Sequence, residues 1–82
     1  MFFVYILSSN LSKRYYIGVS QNIEKRLYQH NMGRTKSTKP YRPWRVIHIE
    51  SFEVKTDAYR REYFLKHPEG FLEKKRIIEN LK

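Results

Sequence analysis

Two tyrosines, an arginine, a histidine and a glutamate are spaced so that they could share one site. If Phe2–Ser8 and Tyr15–Ser20 form a hairpin, Val4 and Ile6 should lie opposite Ile17 and Val19, since apolar side chains of paired strands gather on one face. That register sends Tyr5, Tyr16 and Gly18 to the other face. Two phenols then converge beside a residue with no side chain, which leaves room for a ligand. The plainer reading is two ordinary half-buried strand tyrosines. A phenol can act as acid or base, but its reference pKa is about 10. As a base it needs cationic neighbours.

Arg26 and His30 are four residues apart, on one face of a helix predicted from about Asn22. Ile23 and Leu27 turn that face partly inward. An arginine beside a core-facing stripe needs an anionic partner, because an unpaired buried charge is costly. A phosphate would serve, and so would Glu24 or Glu62. His30 reads as a phosphate ligand, a proton-transfer group or a satisfied half-buried histidine. On a later helix Ala58, Glu62 and Leu65 fall at i, i+4 and i+7, which places a carboxylate in the core-facing stripe. Carboxylates rarely sit there alone. Glu62 therefore either pairs with a cation such as Arg26 or holds a metal.

The charge distribution says what kind of molecule such a site would meet. Seventeen Lys and Arg stand against eight Asp and Glu, a net charge of +9. Residues 1–48 hold nine basic residues and one acid, Glu24, while residues 49–82 are nearly balanced. A one-sided excess suits a polyanion such as a phosphate backbone. A basic surface kept for solubility is the bland alternative. There is no cysteine, so neither a disulfide scaffold nor a thiolate metal site is available. No apolar run approaches the ~18 residues of a membrane span. The start of the chain lacks the features of a signal peptide. These features lead us to expect a cytoplasmic protein that does not engage membranes.

The elements follow from pattern and punctuation. The hairpin loop Ser9–Arg14 is polar. The first helix can be capped by Asn22 or Ser20 and ended by Gly33. Arg34–Trp44 reads as a basic loop with Pro40 and Pro43, and Arg45–Phe52 as a third strand. A second helix, capped by Thr56 or Asp57, should run to His67 before Pro68. A third should span about Glu69–Leu81, with Leu72, Ile78 and Leu81 inward and Lys74 and Lys75 outward. The order β-β-α-β-α-α predicts one α+β domain over residues 1–82, with a small three-stranded, mainly antiparallel sheet flanked by about three helices. Arg34, Lys36, Lys39, Arg42 and Arg45, with Tyr41 and Trp44 interleaved, are candidate nucleic-acid contacts, as are Lys13 and Arg14. Trp44 reads better as core. Lys74, Lys75 and Arg76, among Glu73 and Glu79, read as a solvated face.

Val4-Tyr5-Ile6, followed ten residues later by Tyr16-Ile17-Gly18, resembles the paired signature of the GIY-YIG endonuclease family. The stretch Val19–Asn31 is similar to that family's first helix, and Ala58–Lys66 to the helix bearing its acidic residue. The resemblance covers nearly the whole chain. It fits the small standalone bacterial members, which are similar to the nuclease module of the excinuclease of nucleotide-excision repair. Two positions depart from the pattern. Phe3 stands where the first half-motif has glycine, and Val19 where repair-type members often carry lysine. Asn80 is the only late asparagine that could match one near the family's metal, and its alignment is open.

The resemblance implies metal-dependent hydrolysis of phosphodiester bonds. Tyr5 would be the general base, assisted by Tyr16. Arg26 would offset charge on the phosphate, and His30 would bind phosphate or assist proton transfer. Glu62 would hold one Mg²⁺ or Mn²⁺, weakly without substrate, since one carboxylate suffices only when substrate oxygens complete the shell. The expected partner is nucleic acid, DNA ahead of RNA and branched or damaged forms in particular, with a protein partner as a source of specificity. Two other classes stay open: a non-catalytic nucleic-acid-binding module, and a basic accessory protein of a repair or ribosomal complex.

Overall fold

The computed structural model describes residues 1–80. Its elements are β1 (Phe2–Ser9), β2 (Tyr15–Ser20), α1 (Ile23–Asn31), β3 (Trp44–Phe52), α2 (Lys55–Lys66) and α3 (Phe71–Asn80), with short 3-10 turns at Lys39–Tyr41 and Pro68–Gly70. The sheet is antiparallel with strand order β2-β1-β3, so the central strand is bonded on both sides. Val4 lies opposite Val19, Ile6 opposite Ile17 and Tyr5 opposite Gly18, the register expected from apolar matching. A slip of one residue would move the whole apolar set to the wrong face.

Each face of β1 has its own cover. The Val4 and Ile6 face packs with Ile17, Ala58, Leu65 and Ile77 beneath α2 and α3. The Tyr5 and Leu7 face packs with Trp44, Tyr16, Ile23, Leu27 and Val46 beneath α1. A bulge in β3 serves both. Leu7 pairs with Val46 and Ile6 with His48, so Ile47 is the extra residue and the side-chain alternation changes phase there. Trp44 is core, as expected, and its Nε1 donates to the Thr38 carbonyl at 2.8 Å. Asn31 brackets the Trp44 backbone, donating to its carbonyl and accepting from its amide. This ties the end of α1 to the start of β3.

The helix ends are local. Asn22 caps α1, its side chain accepting from the Lys25 amide at 3.0 Å. Beyond α1, Gly33 has φ 77°, in the left-handed region where glycine carries no steric penalty. The second helix starts earlier than the Thr56 or Asp57 caps predict. Extended Val54 offers its carbonyl to the Asp57 and Ala58 amides, and no side-chain cap is used. Its last residue is Lys66, with His67 extended before Pro68.

The third helix departs most from expectation. It begins at Phe71 because Pro68–Gly70 forms a separate turn. That turn is anchored by buried Gly70, and the buried residue of α3 is Ile77, seven positions on and so on the same helical face. Leu72, expected inward, lies two positions from Gly70, on the opposite side, and is 76% exposed. Ile78 is half-buried, and Leu81 lies outside the described residues.

Candidate active site

Tyr5 sits in the middle of β1 and is 1% exposed. Its hydroxyl is 3.2 Å from Nε2 of His30, a fully buried residue in the last turn of α1. Tyr16 on β2 completes an aromatic cluster, its ring centroid 6.2 Å from Tyr5 and 4.6 Å from His30. Three elements therefore bring together three residues singled out in the sequence. The space above Gly18, however, is not vacant. A Cβ placed there would lie 2.6 Å from the Tyr5 hydroxyl and 3.0 Å from the Tyr16 ring. Glycine at this position makes room for the phenols themselves, not for a ligand.

Arg26 lies one turn before His30 on α1 and is half-buried. Its guanidinium donates to the Gln29 side chain at 2.9 Å, and among the described residues no carboxylate pairs with it. The alternative pairings with Glu24 or Glu62 are therefore not formed, and the charge is left to face the phenol side of the cluster. Glu62 lies between buried Ala58 and Leu65 on α2, and its side chain is 19% exposed. Its partner is Lys66, one turn on at 3.0 Å, because an i, i+4 cation reaches a half-buried carboxylate with no displacement of the helix. Lys66 Nζ also lies 5.8 Å from the Tyr16 ring centroid, which links Glu62 to the tyrosines.

The electrostatics reverse one expectation. Burial, reinforced by Tyr16, pushes the Tyr5 phenol up to about 12, although neighbouring Arg26 pulls the other way. Cationic neighbours thus do not ionise it in the free protein, because loss of hydration outweighs them. Burial, followed by the Arg26 charge, pushes His30 down to about 4. At neutral pH the cluster holds a protonated phenol against a neutral imidazole.

The seven candidate cations Lys13, Arg14, Arg34, Lys36, Lys39, Arg42 and Arg45 are all exposed, and none pairs with an acid among the described residues. Arg14 lies over the Tyr41 ring at 4.3 Å, which joins the hairpin loop to the basic connection between α1 and β3. Lys74 joins this set against expectation. Its neighbours Lys75 and Arg76 pair with Glu79 and Glu73, as a solvated face would. Lys74 instead lines a cavity of about 440 Å³ with Lys13, Arg14 and Tyr15, and another with Lys66, His67, Pro68 and Phe71. Its position at the α3–hairpin contact is not visible in helical periodicity.

Asn80 lies elsewhere. It lines a cavity with His48, Glu50, Arg61, Glu73, Arg76 and Ile77, away from the tyrosines. Glu50 there accepts from Arg61 at 2.8 Å and from His48 at 2.7 Å. Burial raises its pKa, and those hydrogen bonds together with the charges of Arg61 and His48 more than reverse this, leaving the carboxyl below its ordinary range. Sequence reasoning missed Thr38, which is 1% exposed within the basic connection and lies 2.9 Å from His30 Nδ1. The only signal for it was a β-branched residue among exposed lysines.

An antiparallel sheet in the order β2-β1-β3, with elements in the order β-β-α-β-α-α, defines the class of fold. The chain belongs to the GIY-YIG family: the family model described as the GIY-YIG catalytic domain, a nuclease-type domain, matches residues 1–76. Its similar relatives bear the name UPF0213. The UPF0213 protein of Bacillus velezensis is 38% identical over 80 residues, covering 90% of this chain and 80% of that protein. The relative from Staphylococcus saprophyticus is 42% identical over 52 residues, covering 62% of this chain and 63%, less than two thirds, of its own length. The solution NMR structure of a UPF0213 protein from Bacillus halodurans matches with a TM-score of 0.56 and 31% identity, covering 100% of this chain and 86% of that one. Among the described residues no helix is long and apolar enough to cross a membrane.

Proposed function

We propose that this chain is a divalent-metal-dependent endonuclease that hydrolyses phosphodiester bonds in DNA, with branched or damaged forms as the first substrates to test. The observation that carries the reading is the hydrogen bond of buried Tyr5 to buried neutral His30, with unpaired Arg26 beside it. A phenol with a pKa of about 12 does not deprotonate water by itself. It can do so while passing its own proton to His30, so that no phenolate accumulates. Tyr16, half-buried at the rim, flanks the attacking water. Arg26 offsets the charge gathering on the non-bridging oxygens.

Glu62 fits a hard cation. It is a single half-buried carboxylate with one oxygen on an exchangeable lysine, and the described residues contain no cluster of three metal-ligating side chains. A site of one carboxylate suits Mg²⁺ or Mn²⁺ completed by water and substrate oxygens. Held there by Glu62, such an ion would supply Lewis-acid polarisation of the phosphate and charge stabilisation at the leaving oxygen. The unpaired cations of the hairpin loop and the basic connection are available to contact the phosphate backbone, supplying affinity without sequence preference.

The test is incubation with supercoiled plasmid and with forked or flapped oligonucleotides, in Mg²⁺, Mn²⁺ or EDTA, beside Glu62→Ala and Tyr5→Phe. Cleavage by the parent that disappears with EDTA and in both variants supports the reading. Cleavage that persists in Glu62→Ala removes that carboxylate from the mechanism. The Glu62–Lys66 pair favours a second reading, a nucleic-acid-binding module without catalysis. Salt-sensitive binding that survives Glu62→Ala and Arg26→Ala, with no cleavage by the parent, would establish it.

A further inference from the structure

The proton path proposed for Tyr5 requires a bare lone pair on His30 Nε2. A neutral imidazole carries its one N–H on either nitrogen, and only one of the two forms can accept from the phenol. His30 is fully buried and Thr38 is 1% exposed, so water is not at hand to satisfy the wrong form. The hydrogen bonds decide between them. His30 Nδ1 lies 2.9 Å from the Thr38 hydroxyl, and that hydroxyl donates at 3.2 Å to the Thr35 carbonyl. With the proton on Nδ1, each of three protons finds an acceptor. Nδ1–H donates to Thr38 Oγ1, the Thr38 O–H to the Thr35 carbonyl, and the Tyr5 O–H to Nε2. With the proton on Nε2, the imidazole donates to the phenol oxygen. In the free protein, before any attacking water is seated, the Tyr5 proton then loses its acceptor at a residue that is 1% exposed, where an unsatisfied group is costly.

We propose that Thr38 is a positioning residue: its hydroxyl, aimed by the Thr35 carbonyl, holds His30 as the Nδ1–H form and keeps Nε2 open to the Tyr5 proton. This rests on the nuclease reading for its consequence, but not for its structural content. Thr38 does not need to touch substrate. The Thr35 carbonyl also accepts the Thr38 and Lys39 amides at 3.1 and 3.0 Å, so the turn that aims the hydroxyl is held by backbone. The ring itself is fixed by Tyr16 at 4.6 Å and by Tyr5 edge-on at 6.2 Å. With the ring held, the position of its proton is the remaining freedom, and Thr38 removes it.

The experiment compares the parent with Thr38→Val, which keeps shape without the hydroxyl, and Thr38→Ser, which keeps the hydroxyl. Long-range ¹H–¹⁵N NMR of the imidazole reads the tautomer in the free protein at neutral pH. The proposal expects Nδ1–H in the parent and in Thr38→Ser, and a shift toward Nε2–H in Thr38→Val. In plasmid cleavage with Mg²⁺, Thr38→Val should lose roughly 10–100-fold in kcat with little change in KM, while Thr38→Ser stays near the parent. Nε2–H in the parent would overturn the proposal, and so would an unshifted tautomer in Thr38→Val. A shifted tautomer with parental cleavage would equally overturn it. If the parent does not cut, the nuclease reading fails, and the tautomers still decide what Thr38 does. If Thr38→Val does not fold, the parent and Thr38→Ser tautomers decide the assignment, and the matched kcat of Thr38→Ser its use.

Discussion

Replacing Gly18 with alanine adds one methyl group where β2 passes under the Tyr5 ring. That methyl carbon would stand 2.6 Å from the Tyr5 hydroxyl, 2.8 Å from its Cζ and 3.0 Å from the Tyr16 ring. Neither ring can yield freely. Tyr5 is 1% exposed on a strand bonded on both sides, and Tyr16 is packed against His30. Overpacking of this kind costs about 1–3 kcal/mol. For a domain of this size each kcal/mol lowers Tm by about 4–8 °C, so the variant should melt roughly 4–24 °C below the parent. The phenol's relief is to tilt, which stretches a Tyr5–His30 hydrogen bond already 3.2 Å long. Cleavage should then fall by about 100-fold, the low end of what a general base contributes. Thermal melting by circular dichroism and a plasmid-nicking time course on the same preparation read both quantities. A Tm within about 1 °C of the parent would refute the packing argument. A lowered Tm with an unchanged rate would refute the use of the Tyr5–His30 contact in catalysis.

His30 is held neutral at about 4 against an ordinary 6.5, so the unfolded chain binds its proton first as pH falls. Stability from this residue is complete above 6.5 and falls by on the order of 3 kcal/mol as pH drops toward 4. Denaturant titrations should show that slope, and His30→Gln should flatten it. The Glu50 carboxyl is held below its ordinary 4.5, so its contribution is present above that value and disappears at lower pH. Glu50→Gln should flatten stability below 4.5 and leave the His30 window intact. Salt titration of DNA binding should separate the cations. Lys13→Ala, Arg14→Ala or Lys74→Ala should each reduce the log–log salt slope by about 0.9, whereas Lys75→Ala, already paired with Glu79, should change it little.

The strand register was legible because it rests on a period of two, and Val4, Ile6, Ile17 and Val19 leave one register that puts all four on the core face. The same logic placed Tyr5 and Tyr16 together. It could not reveal that the phenols fill the space over Gly18, because alternation gives a face and not the reach of a ring across it. Arg26 and His30 share a helical face by simple spacing. Thr38, which fixes the state of His30, is eight residues away through an irregular segment, where no period connects sequence to space. Glu62 does pair with a cation, but with Lys66 instead of the suggested Arg26, for a related reason. A cation one turn away on the same helix reached the carboxylate before one from a neighbouring element. Leu72 failed because the 3-10 turn at Pro68–Gly70 sets the phase of α3, and periodicity within the helix carries no phase.

The strand order also sets how the site comes apart. Tyr5 lies on β1, which is bonded to β2 and β3, so its amide is released only when the sheet itself opens. His30 lies in the last turn of a nine-residue helix whose only buried residue is His30 itself. A short helix joined to the sheet through this turn, the Asn31–Trp44 hydrogen bonds included, can detach as a unit at a fraction of the global unfolding free energy. In amide exchange the two partners of one hydrogen bond should therefore belong to different cooperative units, with the acceptor leaving before the donor. Mild denaturant would then silence the site while the sheet still reads as native.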